Sequence, residues 1–153
     1  MAYNSQKAAQ VWQRVLQQTP QQATGLDPQQ LPQMIADELT DAAIYLALSR
    51  RYQGKENALL RQMFQQEQDH AACLRGMYTL ITGTRPAVRS QKPTQEKAEE
   101  LLRRCYGREM RALVTYEEKS SDPVYGQIFA QLAQQERAHC HNLLTLLGKF
   151  IAT

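Results

Sequence analysis

Apolar residues recur every three or four positions along most of the chain, and polar residues fill the positions between them. This period is that of an α-helix, and no segment shows the alternation of a half-buried strand. The first periodic stretch is short and ends before Thr19-Pro20. Its apolar side consists of Ala8, Val11, Trp12, Val15 and Leu16. The pattern therefore predicts an all-α protein that begins with a short amphipathic helix.

Four longer periodic stretches follow. Asp27-Pro28 predicts the start of the first, Gly54 the turn before the second, and Thr94 the cap of the third. Asp122-Pro123 predicts the start of the fourth. The predicted helices cover residues 28–52, 55–82, 94–118 and 123–150. With one long connection over residues 83–93, this pattern predicts an antiparallel four-helix bundle over residues 28–153, preceded by a helix and linker over residues 1–27.

Acidic residues and histidines interrupt the apolar rows of these helices in a repeated way. The second helix carries Glu67 and His70, and the fourth carries Glu136 and His139. Each residue of the second pair lies 69 positions after its counterpart in the first pair. On the second helix, one row is Leu60, Glu67, Leu74 and Ile81, and the row beside it is Met63, His70 and Met77. On the fourth helix, the corresponding rows are Phe129, Glu136, Leu143 and Phe150, and Leu132, His139 and Leu146. The row on the first helix is Leu31, Met34, Ile35, Glu38, Ala42 and Tyr45, and the row on the third helix is Leu102, Cys105, Glu109, Ala112 and Tyr116. Glu38 with Glu109, and Tyr45 with Tyr116, share an offset of 71 positions. The chain is therefore a repeat of helix pairs.

Residues three apart share one face of a helix, so each Glu-x-x-His unit can bind a single ion with both side chains. Four carboxylates in a bundle core are very costly without compensating charge. Two divalent cations balance four glutamates, and neutral imidazoles complete the coordination. Mixed oxygen and nitrogen ligands suit iron or manganese, and zinc is also compatible. The predicted ligands of this two-metal centre are Glu38, Glu67, His70, Glu109, Glu136 and His139.

The two Glu-x-x-His units and the two further glutamates resemble the ferritin-like di-iron carboxylate proteins over residues 31–150, most closely the rubrerythrin and bacterioferritin types. The resemblance implies that Glu67 and Glu136 bridge two iron ions. Glu38 with His70 and Glu109 with His139 would complete the two sites. It also implies that Tyr45 and Tyr116 lie beside the ligands, where they bond carboxylates or quench oxidised intermediates. Both tyrosines are equally consistent with ordinary core aromatics.

The chain departs from those families at several positions. It has no Cys-rich rubredoxin module, so electrons would come from a separate donor. Rubrerythrins carry an extra glutamate on the third helix where this chain has Ala112, and Asp41, three residues after Glu38, offers a carboxylate in its place. Bacterioferritins place a haem-binding methionine where this chain has Gln68, so no haem is expected.

Composition narrows the remaining choices. A chain of 153 residues with a net charge of +3 fits one domain and gives no reason to expect a nucleic-acid partner. The first residues lack an apolar leader, and no apolar run is long enough for a membrane span. The cysteines, Cys73, Cys105 and Cys140, form no C-x-x-C pair and fit a reducing compartment, so a cytoplasmic protein is expected.

Three functions remain open at this point. The first is a di-iron oxidoreductase, of the peroxidase or oxidase type, that reduces peroxide or dioxygen. The second is a ferroxidase or iron-storage protein of the ferritin type, and the third is a non-catalytic helical interaction protein. The apolar side of the first helix needs a partner surface, which favours a homo-oligomer, with a dimer as the first expectation.

Overall fold

The computed structural model describes residues 5–17 and 24–151, and every regular element within them is helical. The predicted all-α class is therefore confirmed. The helices are α1 (Ser5–Gln17), α2 (Leu31–Ser49), α3 (Gly54–Thr82), α4 (Ala98–Lys119) and α5 (Gly126–Ile151). A single 3₁₀ turn, Pro28–Gln30, leads into α2, and Asp27 caps it by accepting a hydrogen bond from the backbone of Gln29. Within these residues no helix is both long enough and apolar enough to cross a membrane.

The chain divides into two compact units. The first, called the α2–α3 unit, contains residues 27–105 and 145–151. The second, called the α4–α5 unit, contains residues 5–17, 24–26 and 106–144. The domain boundary expected between residues 27 and 28 stays a prediction.

The α2–α3 unit is built on an antiparallel helix pair. Gly54 adopts a positive φ of 61° at the turn, a conformation that glycine reaches without steric cost. The side-chain amide of Asn57 donates to the carbonyl of Ser49 at 2.6 Å and ties the start of α3 to the end of α2. The apolar core of this pair includes Leu31, Ile35, Leu48, Leu60, Met63, Leu74 and Met77, all fully buried.

A long connection links α3 to α4. Gly83 ends α3 in the left-handed conformation with φ 72°. Further along, the backbone N–H of Gln91 donates to the hydroxyl of Thr40 at 3.0 Å, so the connection is tied to α2. The expected cap at Thr94 was wrong, because α4 begins only at Ala98. The Thr94 hydroxyl donates instead to the side chain of Glu96, which also accepts from Arg104.

The turn between α4 and α5 contains the predicted capping aspartate, although α5 begins at Gly126 and not at residue 123 as predicted. One carboxylate oxygen of Asp122 accepts hydrogen bonds from the backbone N–H groups of Val124 at 2.9 Å and Tyr125 at 2.8 Å. The other oxygen accepts from the Thr24 hydroxyl and the Gly25 N–H, both at 2.8 Å. Although burial alone raises it, the pKa of Asp122 is lowered by these hydrogen bonds, with that from Tyr125 the strongest.

Two residues of the Glu-x-x-His rows lie nearer the surface than expected. Phe150 is 39% exposed and Ile81 is half-buried. Both lie in the last turns of their helices, where few side chains remain to cover them. The other members of the two Glu-x-x-His rows are buried.

The start of α5 requires a residue without a side chain. A Cβ added at Gly126 would lie 2.3 Å from the carbonyl oxygen of Ser120, whereas one added at Gly148, inside the same helix, would meet nothing within 4 Å. We expect Gly126→Ala to destabilise the protein by about 2 kcal/mol, because the clash is with backbone that cannot rotate away. The control Gly148→Ala should stabilise it by about 0.5 to 1 kcal/mol through helix propensity. Urea unfolding of both variants measures the two changes, and equal effects would contradict the close approach.

Candidate metal centre

The α2–α3 unit brings three predicted ligands together, and we call this group the first half-site. Glu38 comes from α2, and Glu67 and His70 come from α3, one helical turn apart. The Nδ1 atom of His70 lies 3.2 Å from a carboxylate oxygen of Glu38 and 3.2 Å from one of Glu67. All three side chains are at most 4% exposed at the residue level. The spacing of three on α3 therefore does what the sequence predicted, which is to direct an acid and an imidazole to the same interior point.

The α4–α5 unit holds an equivalent group, the second half-site. Glu109 comes from α4, and Glu136 and His139 come from α5. The Nδ1 atom of His139 lies 3.2 Å from a carboxylate oxygen of Glu136 and 3.6 Å from one of Glu109. These side chains are buried as completely as those of the first half-site.

The carboxyl group of Glu109 has an unusual proton affinity. Burial, the negative charge of Glu136 and a hydrogen bond to Glu136 together raise the pKa of Glu109 to about 7, against a smaller opposing effect of His139. Two carboxyl groups that share a hydrogen bond need one proton between them. The second half-site without a cation therefore holds a proton near neutral pH.

The donor atoms of each half-site are close enough to bind one ion. In each group of three, one ligand atom per residue lies within 4.8 Å of the others. Bonds to a transition metal are about 2.0 to 2.2 Å long, so donors around one ion lie no more than about 4.4 Å apart. The mix of oxygen and nitrogen donors fits the expected iron or manganese.

The two predicted tyrosines are buried, each seven residues after the glutamate of its own helix. Tyr45 is fully buried on α2, and Tyr116 on α4 is 2% exposed. The ring of Tyr116 lies against Phe129, with centroids 5.9 Å apart. Seven residues correspond to about 10 Å along a helix, so each phenol starts two turns from its glutamate. Their roles beside the ligands stay a prediction.

The cysteines differ from the ligand residues. Cys105 and Cys140 are buried, and Cys73 is half-buried. Burial, followed by the negative charges of Glu109 and Glu136, raises the pKa of the Cys140 thiol to about 11. A protonated thiol is a poor metal ligand, and Cys140 is not among the predicted ligands. His141, two residues after His139, is exposed.

The structure adds one acidic residue whose burial the helical rows did not predict. Asp41, one turn after Glu38 on α2, is only 6% exposed. Its neighbour Thr40 is also buried. The Thr40 hydroxyl donates to the carbonyl of Ala36 and accepts from the backbone N–H of Gln91. The tether from the connection is a tertiary contact, so no local sequence signal announces it.

The Rubrerythrin family model matches residues 30–128, which include Glu38, Glu67, His70 and Glu109. The match ends before Glu136 and His139, so the assignment of these two residues as ligands is supported by their spacing and geometry and not by the family model. Neither the curated proteins nor the solved structures include a significant match. Since the family model covers more than half of an all-α chain, the predicted ferritin-like fold is confirmed, and the protein belongs to the rubrerythrin family.

Proposed function

We propose that the two half-sites together hold two iron ions and that the protein is an oxidoreductase that reduces peroxide or dioxygen with electrons from a separate donor. The observation that carries this proposal is the pair of equivalent buried groups, each with two glutamates and one histidine. Family membership supports iron as the metal. Manganese would fit the same ligands, and zinc would bind without supplying redox chemistry.

Charge balance supports cation binding. The buried residues with ionisable charge in the described ranges are five carboxylates, Glu38, Asp41, Glu67, Glu109 and Glu136, and two histidines, His70 and His139. Even two fully protonated imidazoles would leave an excess of negative charge. Burying such an excess is unfavourable, whereas two divalent cations neutralise the four glutamates. The raised pKa of Glu109 is the response of the cation-free cluster to the same excess.

The protein's own groups have separate tasks in this proposal. The helices fix the ligands, and the leucine and methionine rows around Glu67 and His70 exclude water from the first half-site. In the cation-free protein, Glu109 holds a proton against Glu136, and binding of a cation releases it. Tyr45 and Tyr116 would place phenolic O–H groups along the same helix faces. A pair of bound iron ions would supply the electrons that reduce the oxidant.

The first test removes one imidazole. We expect His139→Ala to lower the metal content from about two iron ions per chain to about one, and to abolish peroxide reduction, because one glutamate pair cannot hold an ion as tightly without its nitrogen ligand. The matched control is His141→Ala, which removes an exposed imidazole two residues away on α5. Elemental analysis of anaerobically reconstituted protein and peroxide turnover with a reductant measure both effects.

Three results would oppose the proposal in different ways. Wild-type protein that binds no transition metal would exclude a metalloprotein. Full metal loading of the His139→Ala variant would contradict the ligand assignment. Wild-type protein that loads two ions, accumulates much more iron in a large particle and fails to turn over peroxide would favour storage.

The raised pKa of Glu109 predicts how the cation-free protein responds to pH. Between the unfolded value of 4.5 and the folded value of about 7, the folded state binds more protons than the unfolded state, so this group lowers stability as pH rises. Glu109→Gln keeps the shape of the protonated acid and removes the titration. The free energy of unfolding of this variant, relative to wild type, should therefore rise by about 3 kcal/mol from pH 4.5 to pH 8.

Urea unfolding of the chelator-treated proteins at several pH values gives this difference. Glu118→Gln is the control, since it changes an exposed acid on the same helix that water solvates before and after unfolding. A difference that stays flat with pH, or falls as pH rises, would refute the assigned proton.

A further inference from the structure

We infer that Asp41 makes the first half-site the tighter of the two cation sites, so that the two ions bind in a fixed order. This inference rests on the proposed function, because it concerns the affinity of the half-sites for cations. The three observations that support it are the burial of Asp41, its place on the helix, and the residue at the matching position of the repeat.

Asp41 belongs to the interior of the α2–α3 unit. It is 6% exposed, comparable to the 4% of Glu38, which lies one turn earlier on the same helix. Residues three apart on a helix have Cβ atoms about 5 to 6 Å apart and face the same side. Asp41 is absent from the group of donor atoms within 4.8 Å, which contains Glu38, Glu67 and His70. It therefore acts on a bound ion through its charge and not as a direct ligand.

The second half-site lacks this charge. The offset of 71 positions that relates Glu38 to Glu109 and Tyr45 to Tyr116 relates Asp41 to Ala112. Ala112 is half-buried, and α4 is continuous around it. The helix therefore forms without an acidic residue at this position. The glutamate and histidine one turn apart are arranged alike in the two half-sites, since each histidine Nδ1 lies 3.2 Å from that glutamate. The further glutamate lies 3.2 Å from the histidine in the first half-site and 3.6 Å in the second, and only the first half-site has an additional acid at the matching position.

This charge has a predictable effect on cation affinity. With every carboxylate ionised, the first half-site with Asp41 would carry three negative charges, and the second would carry two. A carboxylate within about 8 Å of a divalent cation attracts it by several times the thermal energy when the effective dielectric constant is near 20. The first half-site should therefore fill first.

The rival role for Asp41 is structural. Its neighbour Thr40 ties α2 to the connection through the N–H of Gln91 at 3.0 Å, so an acid at this place would also suit an anchor for the chain. The two roles predict opposite signs for the stability of the cation-free protein. Removing a charge held for a cation should raise that stability, whereas removing an anchor should lower it.

The experiment is a calorimetric titration of chelator-treated full-length protein with Co²⁺, a redox-stable probe. Wild type should bind two ions in steps at least tenfold apart in affinity. His70→Ala should remove the tight step, and His139→Ala should remove the weak step. Asp41→Asn should weaken the tight step about tenfold or more and raise the midpoint of thermal unfolding without metal. Ala112→Asp, the mirror change, should tighten the weak step by a similar factor.

Each other outcome has a definite meaning. Wild type that binds no Co²⁺ would overturn the proposed function together with this inference. Two bound ions with unchanged affinities in Asp41→Asn, or a tight step that His139→Ala removes, would overturn the inference and leave the proposed function standing. A lower unfolding midpoint with unchanged affinity would assign Asp41 the anchoring role. If Asp41→Asn does not fold, Ala112→Asp decides the question, and unchanged affinities there would overturn the inference.

Discussion

The arrangement of an acid and an imidazole one helical turn apart is the constraint on which each half-site depends. In both copies the Nδ1–oxygen distance is 3.2 Å, although the two pairs lie on different helices in different units. Such agreement follows from helix geometry, because residues three apart point to one side whatever surrounds them. The helix pair then has only to bring one further glutamate, Glu38 or Glu109, against the histidine. A site whose main distances are set locally tolerates much variation elsewhere in the chain.

The same arrangement is costly to the fold. Buried carboxylates replace apolar side chains at positions where leucine would contribute about 2 kcal/mol each. The compensation lies in the turns before and after them on α3, where Leu60, Met63, Leu74 and Met77 are fully buried. Each Glu-x-x-His unit is thus enclosed along its helix by apolar residues of the same rows. A chain without those rows would expose the acids to water, and exposed acids bind cations weakly because water competes for both partners.

Sequence reasoning worked where the determinants are local. Gly54 and Gly83 end or begin helices through their own conformational freedom, and Asp122 caps through its own carboxylate. Thr94 does not cap α4, because its hydroxyl bonds the side chains of Glu96 and Arg104, and the cap preference of a threonine alone does not announce those contacts. The proton affinity of Glu109 lay beyond the sequence in the same way. It depends on burial and on the carboxyl group of Glu136, twenty-seven positions away along the chain.

Comparison of matching positions in the two helix pairs distinguishes residues that the fold requires from residues that serve the metal site. Wherever the two helix pairs carry the same residue, as at Glu38 and Glu109 or Tyr45 and Tyr116, the repeat cannot tell structural need from chemical use. Where they differ, one copy serves as a control for the other. Ala112 shows that the position one turn after the α4 glutamate forms its helix without an acid, so the fold of that pair does not require one. A buried carboxylate at the matching position, Asp41, is then better explained by the charge it brings to its own half-site than by the architecture of the helix pair.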